Sequence, residues 1–311
     1  MKKLTILLAL FLACAAPIVR AADKLEMQDV VSGKYAAQRV YGVNPLLDGE
    51  HYAQISNDGK RIVKYSFKDG KEVGTIFDVT TARNVKLDSF DGYIMSPDES
   101  RILIQTNTRP IYRRSFTAEY YIYSVRNNTL EPLSKNGPQQ VPLFSPDGNN
   151  IAFVRDNNIF LVKLLFDNSE SQVTKDGKFN EVLNGIPDWV NEEEFGYNRA
   201  FDFSADSKMI AFIRFDETKV PMFSFPLYQG MAPAYTQFAE YPGYYSYKYP
   251  VPGAQNSEVT VHTYDIKSHV TRQMDLPLDK DGYIPRIQFS DDPDGLIITT
   301  LNRNQNRFEV Y

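Results

Sequence analysis

The stretch Phe144-Ser145-Pro146-Asp147-Gly148, followed by the apolar run 151–154, decides the fold of this chain. Ser and Asp side chains hydrogen-bond to nearby backbone groups, and Pro and Gly supply turn dihedral angles, so the pentapeptide predicts a tight hairpin. Related stretches occur four more times, each followed by a short apolar run: Ser56-Asn57-Asp58-Gly59, Ser96-Pro97-Asp98-Glu99, Phe203-Ser204-Ala205-Asp206-Ser207 and Phe289-Ser290-Asp291-Asp292. The chain therefore repeats one β-hairpin unit.

The spacing of these turns indicates a β-propeller. The five copies are separated by 40, 49, 59 and 86 residues, and a four-stranded blade takes about 40–50. A second signature follows in each repeat and is typical of a blade's third strand: residues 75–79, 120–125, 158–162 and 261–266. A β-sandwich is the alternative, but two signatures recurring in one order favour an all-β propeller of four-stranded blades. The last interval predicts either one blade with a long insertion or two blades.

The first 21 residues are typical of a secretory signal peptide. Lys2 and Lys3 precede an apolar run at 4–19, and Val19-Arg20-Ala21 offers small residues at the cleavage positions. The run is shorter than the ~20 residues that span a bilayer, although an uncleaved membrane anchor and a lipid anchor at Cys14 remain alternatives. We expect a mature domain at 22–311 that is exported to the periplasm or beyond the cell, with membrane association left open.

The charge of the chain argues against nucleic acid as a partner. The whole sequence carries a formal net charge of −5, and losing three basic leader residues would bring the mature chain near −8. Such a surface repels phosphate backbones and anionic membranes. The mature chain would also contain no cysteine, so packing alone would hold the fold.

The stretch Asp188-Trp189-Val190-Asn191-Glu192-Glu193-Glu194 places three consecutive carboxylates behind the only tryptophan. Like charges held together favour a bound cation, and the free amino terminus of a peptide is one candidate. An α-ammonium has three donors and a reference pKa of about 8, so it forms charge-assisted bonds near neutral pH. The alternative is structural, because acids suit the first turn of a helix and Asp188 could cap it.

Three segments resemble dipeptidyl peptidase IV-type enzymes, which are serine peptidases of the prolyl oligopeptidase clan. Residues 184–195 resemble the family's D-W-V-Y-E-E-E segment, 113–123 its R-x-S-[YF]-T-A-x-Y-x-[IL]-Y segment, and 213–221 the stretch that leaves the same blade. The resemblance implies an incomplete part of an eight-bladed propeller that precedes an α/β-hydrolase domain. It also implies an exopeptidase that releases Xaa-Pro or Xaa-Ala dipeptides from peptide N-termini.

The resemblance assigns roles to particular residues. Glu193 and Glu194 match the acid pair that binds the substrate α-ammonium, and Arg113 matches the arginine that contacts the P2 carbonyl and steadies the acids. Arg114 is the alternative arginine. The family has Tyr where this chain has Asn191, a departure that affects the packing behind the acids rather than their charge.

Catalytic machinery is not predicted in these 311 residues. No G-x-S-x-G nucleophile elbow occurs, and His51, His262 and His269 lack a matching Ser and Asp arrangement. No spaced metal-ligand set or cofactor motif is present either. The sequence ends inside an expected third strand, and a propeller must close because an open blade exposes sheet edges. We therefore expect a propeller portion without its hydrolase domain, inactive alone; a non-catalytic peptide- or protein-binding propeller is the alternative.

The stretch Val220–Pro252 is rich in aromatic residues and punctuated by prolines. In the resembled family an arm at this place projects from a blade into the partner subunit. An aromatic-rich exposed surface suits such an interface, so we expect a homodimer formed through this arm. The alternative is an irregular loop packed on the propeller.

Overall fold

The computed structural model describes residues 24–37, 41–227, 241 and 243–311. Residues 44–311 form one compact unit, and the described residues before 44 belong to a separate unit that contains helix α1, Met27–Val31. The expected leader at 1–21 lies outside the described residues. Within the described ranges, no helix has the length and apolar character that a membrane crossing requires.

Three sheets of the compact unit have four antiparallel strands joined in chain order. The first comprises β1 Asn44–Pro45, β2 His51–Ile55, β3 Arg61–Ser66 and β4 Glu72–Asp78. The second comprises β5 Gly92–Met95, β6 Arg101–Pro110, β7 Phe116–Ser124 and β8 Thr129–Pro132. The third comprises β9 Gln140–Phe144, β10 Asn150–Arg155, β11 Asn158–Lys163 and β12 Ser169–Gln172.

The fourth sheet carries two insertions. Its strands are β13 Val182–Asn184, β14 Phe201–Phe203, β15 Met209–Asp216, β18 Glu258–Asp265 and β19 Val270–Gln273. Helix α2, Trp189–Phe195, lies between β13 and β14, and a two-stranded ribbon of β16 Met222–Leu227 and β17 Gly243–Lys248 separates β15 from β18. A fifth sheet comprises β20 Tyr283–Phe289, β21 Leu296–Leu301 and β22 Phe308–Val310.

The five turn motifs each join two neighbouring strands of a sheet, as predicted. In four of them the serine hydroxyl donates to the aspartate two residues on; the Ser96 Oγ to Asp98 Oδ1 distance is 2.7 Å. The same hydroxyl accepts the N–H of the residue that starts the next strand, such as Arg101 at 3.0 Å. Hydrogen bonds from Ser96 and Ser100 lower the pKa of Asp98 to about 2, so the turn keeps its charged acceptor.

The core lies between consecutive sheets, as a propeller requires. In β6, Ile102 and Ile104 belong to an apolar cluster with the first sheet, whereas Leu103 belongs to a cluster with the third. Successive side chains of a strand point to opposite faces, so one strand packs against both neighbouring blades. This alternation recurs in β10 and β15 and confirms a propeller rather than a two-layer sandwich. The last turn interval contains one blade with a long insertion, and the two-blade alternative is wrong.

Candidate functional site

Helix α2 begins after the cap residue considered from the sequence, Asp188, and ends at Gly196. Asp188 caps its N-terminus by accepting the Asn191 N–H at 2.9 Å, and Gly196 ends it in the left-handed region at φ 72°. The Ser257 hydroxyl donates to the second oxygen of the Asp188 carboxylate, which is only 6% exposed. The capping role considered for Asp188 is therefore correct, and it fixes the orientation of the helix that carries the acids.

The three glutamates of α2 have different surroundings. Glu192 is 1% exposed, Glu193 is half-buried and Glu194 is exposed. Consecutive helical residues are rotated by about 100°, so their side chains cannot share one face. The helix therefore separates one structural acid from two acids that remain accessible.

Glu192 joins α2 to the loop between β6 and β7. Its Oε1 accepts the backbone N–H groups of Arg114 at 2.7 Å and Ser115 at 2.9 Å. Its Oε2 is buried without a hydrogen-bond partner among the described residues. Sequence reasoning missed this role, although the i, i+4 spacing from the cap Asp188 places Glu192 on the same, inward face of the helix.

Arg113 lies in the same loop, between β6 and β7, and contacts the second glutamate, Glu193. Its Nε donates to Glu193 Oε2 at 2.9 Å, and the two side chains are 69% and 28% exposed, respectively. Arg114 instead turns toward the C-terminal end of α2, where its carbonyl accepts the Asn198 side-chain amide at 3.0 Å. The structure thus brings Arg113 and Glu193 together across 80 residues of sequence and leaves Arg114 outside the pair.

Aromatic side chains of the β16–β17 ribbon surround this pair. Trp189 lies 4.4 Å from Tyr249 and 6.2 Å from Tyr247 between ring centroids, and Tyr247 also contacts Tyr112 at 5.4 Å. A depression of about 350 Å³ is lined by Trp189, Tyr247 and Tyr112, together with Arg113 and Glu193. The base of the ribbon therefore forms one wall of the candidate site.

The ribbon differs from the irregular loop that was the alternative for Val220–Pro252. Its described part is a regular antiparallel pair rather than an irregular loop, and it packs on α2 through its aromatic residues. Tyr241 and Tyr244 are 78% and 70% exposed. The remaining part of the predicted arm, 228–240 and 242, lies outside the described residues.

Comparisons with known proteins agree with this architecture. Residues 96–311 match the family model described as the dipeptidyl peptidase IV N-terminal region. The chain belongs to this family. It is 32% identical over 92% of its length to the probable dipeptidyl-aminopeptidase B of Tuber melanosporum, and 31% identical over 86% to the dipeptidyl peptidase 4 of Trichophyton equinum. The crystal structure of Porphyromonas gingivalis dipeptidyl peptidase 4 matches 94% of the chain at 42% identity, with a TM-score of 0.85.

The chain spans about a third of each of these two curated relatives, 34% in both cases. It covers 40% of the Porphyromonas gingivalis chain. The family resemblance and the propeller predicted from the sequence are confirmed. The match concerns an N-terminal region, so the activity of a whole dipeptidyl peptidase is a separate question.

Asn191, the departure from the family motif, is part of the helix cap. Its backbone N–H and its Nδ2 both donate to Asp188 Oδ1, at 2.9 and 2.7 Å, and the residue is 2% exposed. Its Oδ1 is buried without a hydrogen-bond partner among the described residues. The amide thus reinforces the capping carboxylate at the position where the family motif has a phenol ring.

The three histidines lie in separate places. His51 contacts Asp48 at 2.8 Å, His262 stacks on Phe212, and His269 contacts the Tyr264 hydroxyl. Burial lowers the pKa of His262. Within the described ranges, no three His, Cys, Asp or Glu side chains come together as a metal site would require.

A fifth acid, Glu217, lies near α2 and was not singled out from the sequence. It follows β15, is 5% exposed, and its pKa is raised to about 7 by burial, reinforced by the charge of Asp188. The sequence signal for it is the pair Asp216-Glu217 at the end of an apolar strand. Successive side chains of a strand point to opposite faces, so one of these two carboxylates must point inward.

Glu217 predicts a dependence of stability on pH. A folded-state pKa near 7 against an ordinary 4.5 means that the folded protein holds this proton more tightly than the unfolded chain. Stability should therefore fall as pH rises from 5 to 8, by at most about 3 kcal/mol from this residue. In Glu217→Gln this contribution should vanish. Between pH 5 and pH 8 the wild type should therefore lose more unfolding free energy than the variant. Urea unfolding at both pH values measures it; a constant difference would contradict the shifted pKa.

Proposed function

We propose that this chain is the substrate-recognition propeller of an exported dipeptidyl peptidase IV-like serine exopeptidase, which releases Xaa-Pro and Xaa-Ala dipeptides from peptide N-termini. The observation that carries the proposal is the Arg113–Glu193 contact at 2.9 Å beside an exposed Glu194. In this proposal Glu193 and Glu194 bind the substrate α-ammonium, and Arg113 holds the P2 carbonyl. The family membership of the chain supports the proposal.

The acids suit an ammonium ion. A substrate amino terminus is largely protonated near neutral pH and offers three N–H donors. The Glu193 carboxylate has about four acceptor sites, and the described contacts use one of them, for Arg113. Charge-assisted bonds of this kind are stronger than neutral ones, and the site is partly shielded from water by the ribbon.

Arg113 suits a second contact with the peptide. A guanidinium has five N–H donors, and the described side-chain contacts use only Nε, so four donors remain for a ligand in the depression that Arg113 lines. A carbonyl near the substrate amino terminus could accept one or two of them. The same cation reduces the repulsion between the two acids.

An amine clamp of this kind would set the position of cleavage in the peptide. Fixing the α-ammonium determines which peptide bond reaches a nucleophile at a set distance, and this gives dipeptide release instead of internal cleavage. The nucleophile, with its Asp and His, would lie in a hydrolase domain outside these residues, as the resemblance implies. A non-catalytic propeller would not need a site that binds the α-ammonium of a peptide and so fixes the position of one peptide bond. The test is cleavage of Xaa-Pro peptides by the whole protein with Glu193 intact and with Glu193 replaced by glutamine.

The ribbon supports a proposal about assembly. We infer that the aromatic arm at Val220–Pro252 forms a homodimer contact in the whole protein, because Tyr241 and Tyr244 are exposed although aromatic side chains favour buried surfaces. Replacing both tyrosines with serine should weaken the dimer at least tenfold, since aromatic residues dominate interface energies. Sedimentation equilibrium measures the dissociation constant.

These two positions are better targets than deletion of the whole arm, because Tyr247 and Tyr249 pack on Trp189 and their loss would disturb α2. Ser224→Ala together with Ser246→Ala, on the exposed ribbon face, is the matched control. A dimer of unchanged affinity after the tyrosine substitutions would remove these residues from the interface.

A further inference from the structure

A second cavity lies next to the candidate site and has no part in the proposed amine clamp. Its volume is about 430 Å³, and it shares Ile111 and Tyr112 with the depression that contains Arg113 and Glu193. Ligand cavities in proteins are typically 300–1,000 Å³, so the space exceeds what a few water molecules need. Its floor includes Glu217 and the capping residue Asp188.

The Glu217 carboxylate is unusual among the buried groups. Glu217 is 95% buried, and its side chain accepts no hydrogen bond from the described residues. Its backbone N–H is satisfied by Glu181, so only the carboxylate lacks a partner. A buried carboxylate without donors is costly, and such groups normally face a ligand, ordered water or a bound ion.

Nearby cations do not neutralise Glu217 directly. Lys248 is the cation whose charge acts on it, but its Nζ donates to the backbone carbonyls of Val220 at 2.7 Å and Thr218 at 3.2 Å. Lys248 therefore leaves the carboxylate oxygens of Glu217 without a direct hydrogen bond.

The charged walls of the cavity favour a cation. Arg155 is already paired with Glu170 at 2.7 Å, and Lys178 is paired with Glu181. The charged lining residues outside these ion pairs are Glu217, Asp188 and Asp156, all of them acidic. Once Glu217 is ionised, the cavity therefore presents negative charge that neither ion pair neutralises.

The apolar walls favour an alkyl stem on that cation. Leu183, Ile186 and Pro138 line the cavity, and the Tyr112 ring closes the side that it shares with the neighbouring depression. Burial and the nearby acids raise the pKa of Tyr112, so its hydroxyl stays neutral and can accept an N–H. A primary ammonium has three donors for such acceptors, and a ring face attracts it further.

We propose that this cavity binds a primary ammonium ion on a short alkyl chain, with Glu217 as its carboxylate partner. Lysine side chains and free alkylamines share this chemistry. The proposal is independent of the amine clamp, since it uses neither Glu193 nor Glu194.

The probe is n-butylammonium chloride, titrated by calorimetry at constant ionic strength into the whole protein with the Glu193→Gln substitution. That background removes the proposed clamp as a competing amine site. We expect saturable binding in the millimolar range that weakens at least tenfold when Glu217→Gln is added. Glu131→Gln, an exposed glutamate on β8 outside the cavity lining, is the matched control and should leave the affinity unchanged.

A pH comparison gives a second readout. Butylammonium stays charged between pH 6 and 8, whereas Glu217 must lose its proton to pair with it, so affinity should rise roughly tenfold over this range. The charged and titratable groups facing Glu217 are Asp188, Asp216, Lys248 and Tyr112. Equal affinity at both pH values would contradict Glu217 as the partner.

Three outcomes would overturn the proposal. They are no binding, binding that survives Glu217→Gln, and equal binding of neutral n-butanol, which would mark a merely apolar cavity. Nα-acetyl-lysine amide separates the two sources of the ligand: its binding supports a lysine side chain, and its exclusion while butylammonium binds supports a free amine. Unfolding measurements on Glu217→Gln verify that the variant is folded. The Glu193 experiment on peptide cleavage can fail or succeed separately.

Discussion

Glutamine in place of Glu193 is expected to lower kcat/KM for free-amine Xaa-Pro peptides about 100-fold in the whole protein. The substitution keeps the side-chain shape but removes the charge that pairs with Arg113 and, in the proposed clamp, with the substrate ammonium. Truncating one member of a hydrogen-bonded charge pair costs about 2–5 kcal/mol, and the partial exposure of this pair places the effect toward the lower end. Steady-state hydrolysis of a chromogenic Gly-Pro substrate measures it.

The control for this experiment is Glu131→Gln, an exposed glutamate on the outer strand of the second blade. It makes the same chemical change away from the site and should leave kcat/KM within twofold. N-acetylated Gly-Pro substrate lacks the ammonium, so its poor cleavage by the wild type should not worsen in Glu193→Gln. Unchanged cleavage of the free-amine substrate by Glu193→Gln would end the amine-clamp assignment.

The fold was predictable because its signals are local. Each Ser-x-Asp turn closes on itself: Ser96 Oγ bonds to Asp98 two residues away and accepts the N–H of Arg101 five residues away. Such contacts are encoded within one short stretch and repeat along the chain, so spacing alone indicated the blades. The one ambiguity, the interval of 86 residues, concerned a long-range insertion that no local pattern specifies.

The site was predictable only in part, because its contacts are not local. The resemblance pointed to Arg113, and the structure places it against Glu193 from a distance of 80 residues in sequence. The spacing from the cap Asp188 indicates that Glu192 is the inward glutamate, but its partners in the β6–β7 loop lie nearly 80 residues away and no local pattern specifies them. The ribbon wall around Trp189 was missed for the same reason: aromatic composition predicted an exposed arm but not its packing on the helix.

Alanine in place of Glu192 is expected to destabilise the protein by about 4 kcal/mol, although the amine clamp is proposed for its neighbours. The Glu192 carboxylate is 1% exposed and accepts two backbone N–H groups, from Arg114 and Ser115. Its removal leaves both partly buried donors unpaired, at about 1–3 kcal/mol each, and opens a small cavity. Urea denaturation measures the loss; a change below 1 kcal/mol would show that water replaces the carboxylate.

Three adjacent glutamates allow stability and recognition to be separated within one helical turn. Glu194→Ala, on an exposed side chain, should change the unfolding free energy by less than about 0.5 kcal/mol while lowering cleavage of free-amine peptides. Glu192→Gln keeps an oxygen for the two N–H groups, so it should cost about half as much stability as Glu192→Ala. If Glu192 positions the loop of Arg113, Glu192→Gln should also lower kcat/KM while the folded fraction stays near one. Equal stability losses at Glu192 and Glu194 would mean that the loop, and Arg113 with it, is held by other contacts.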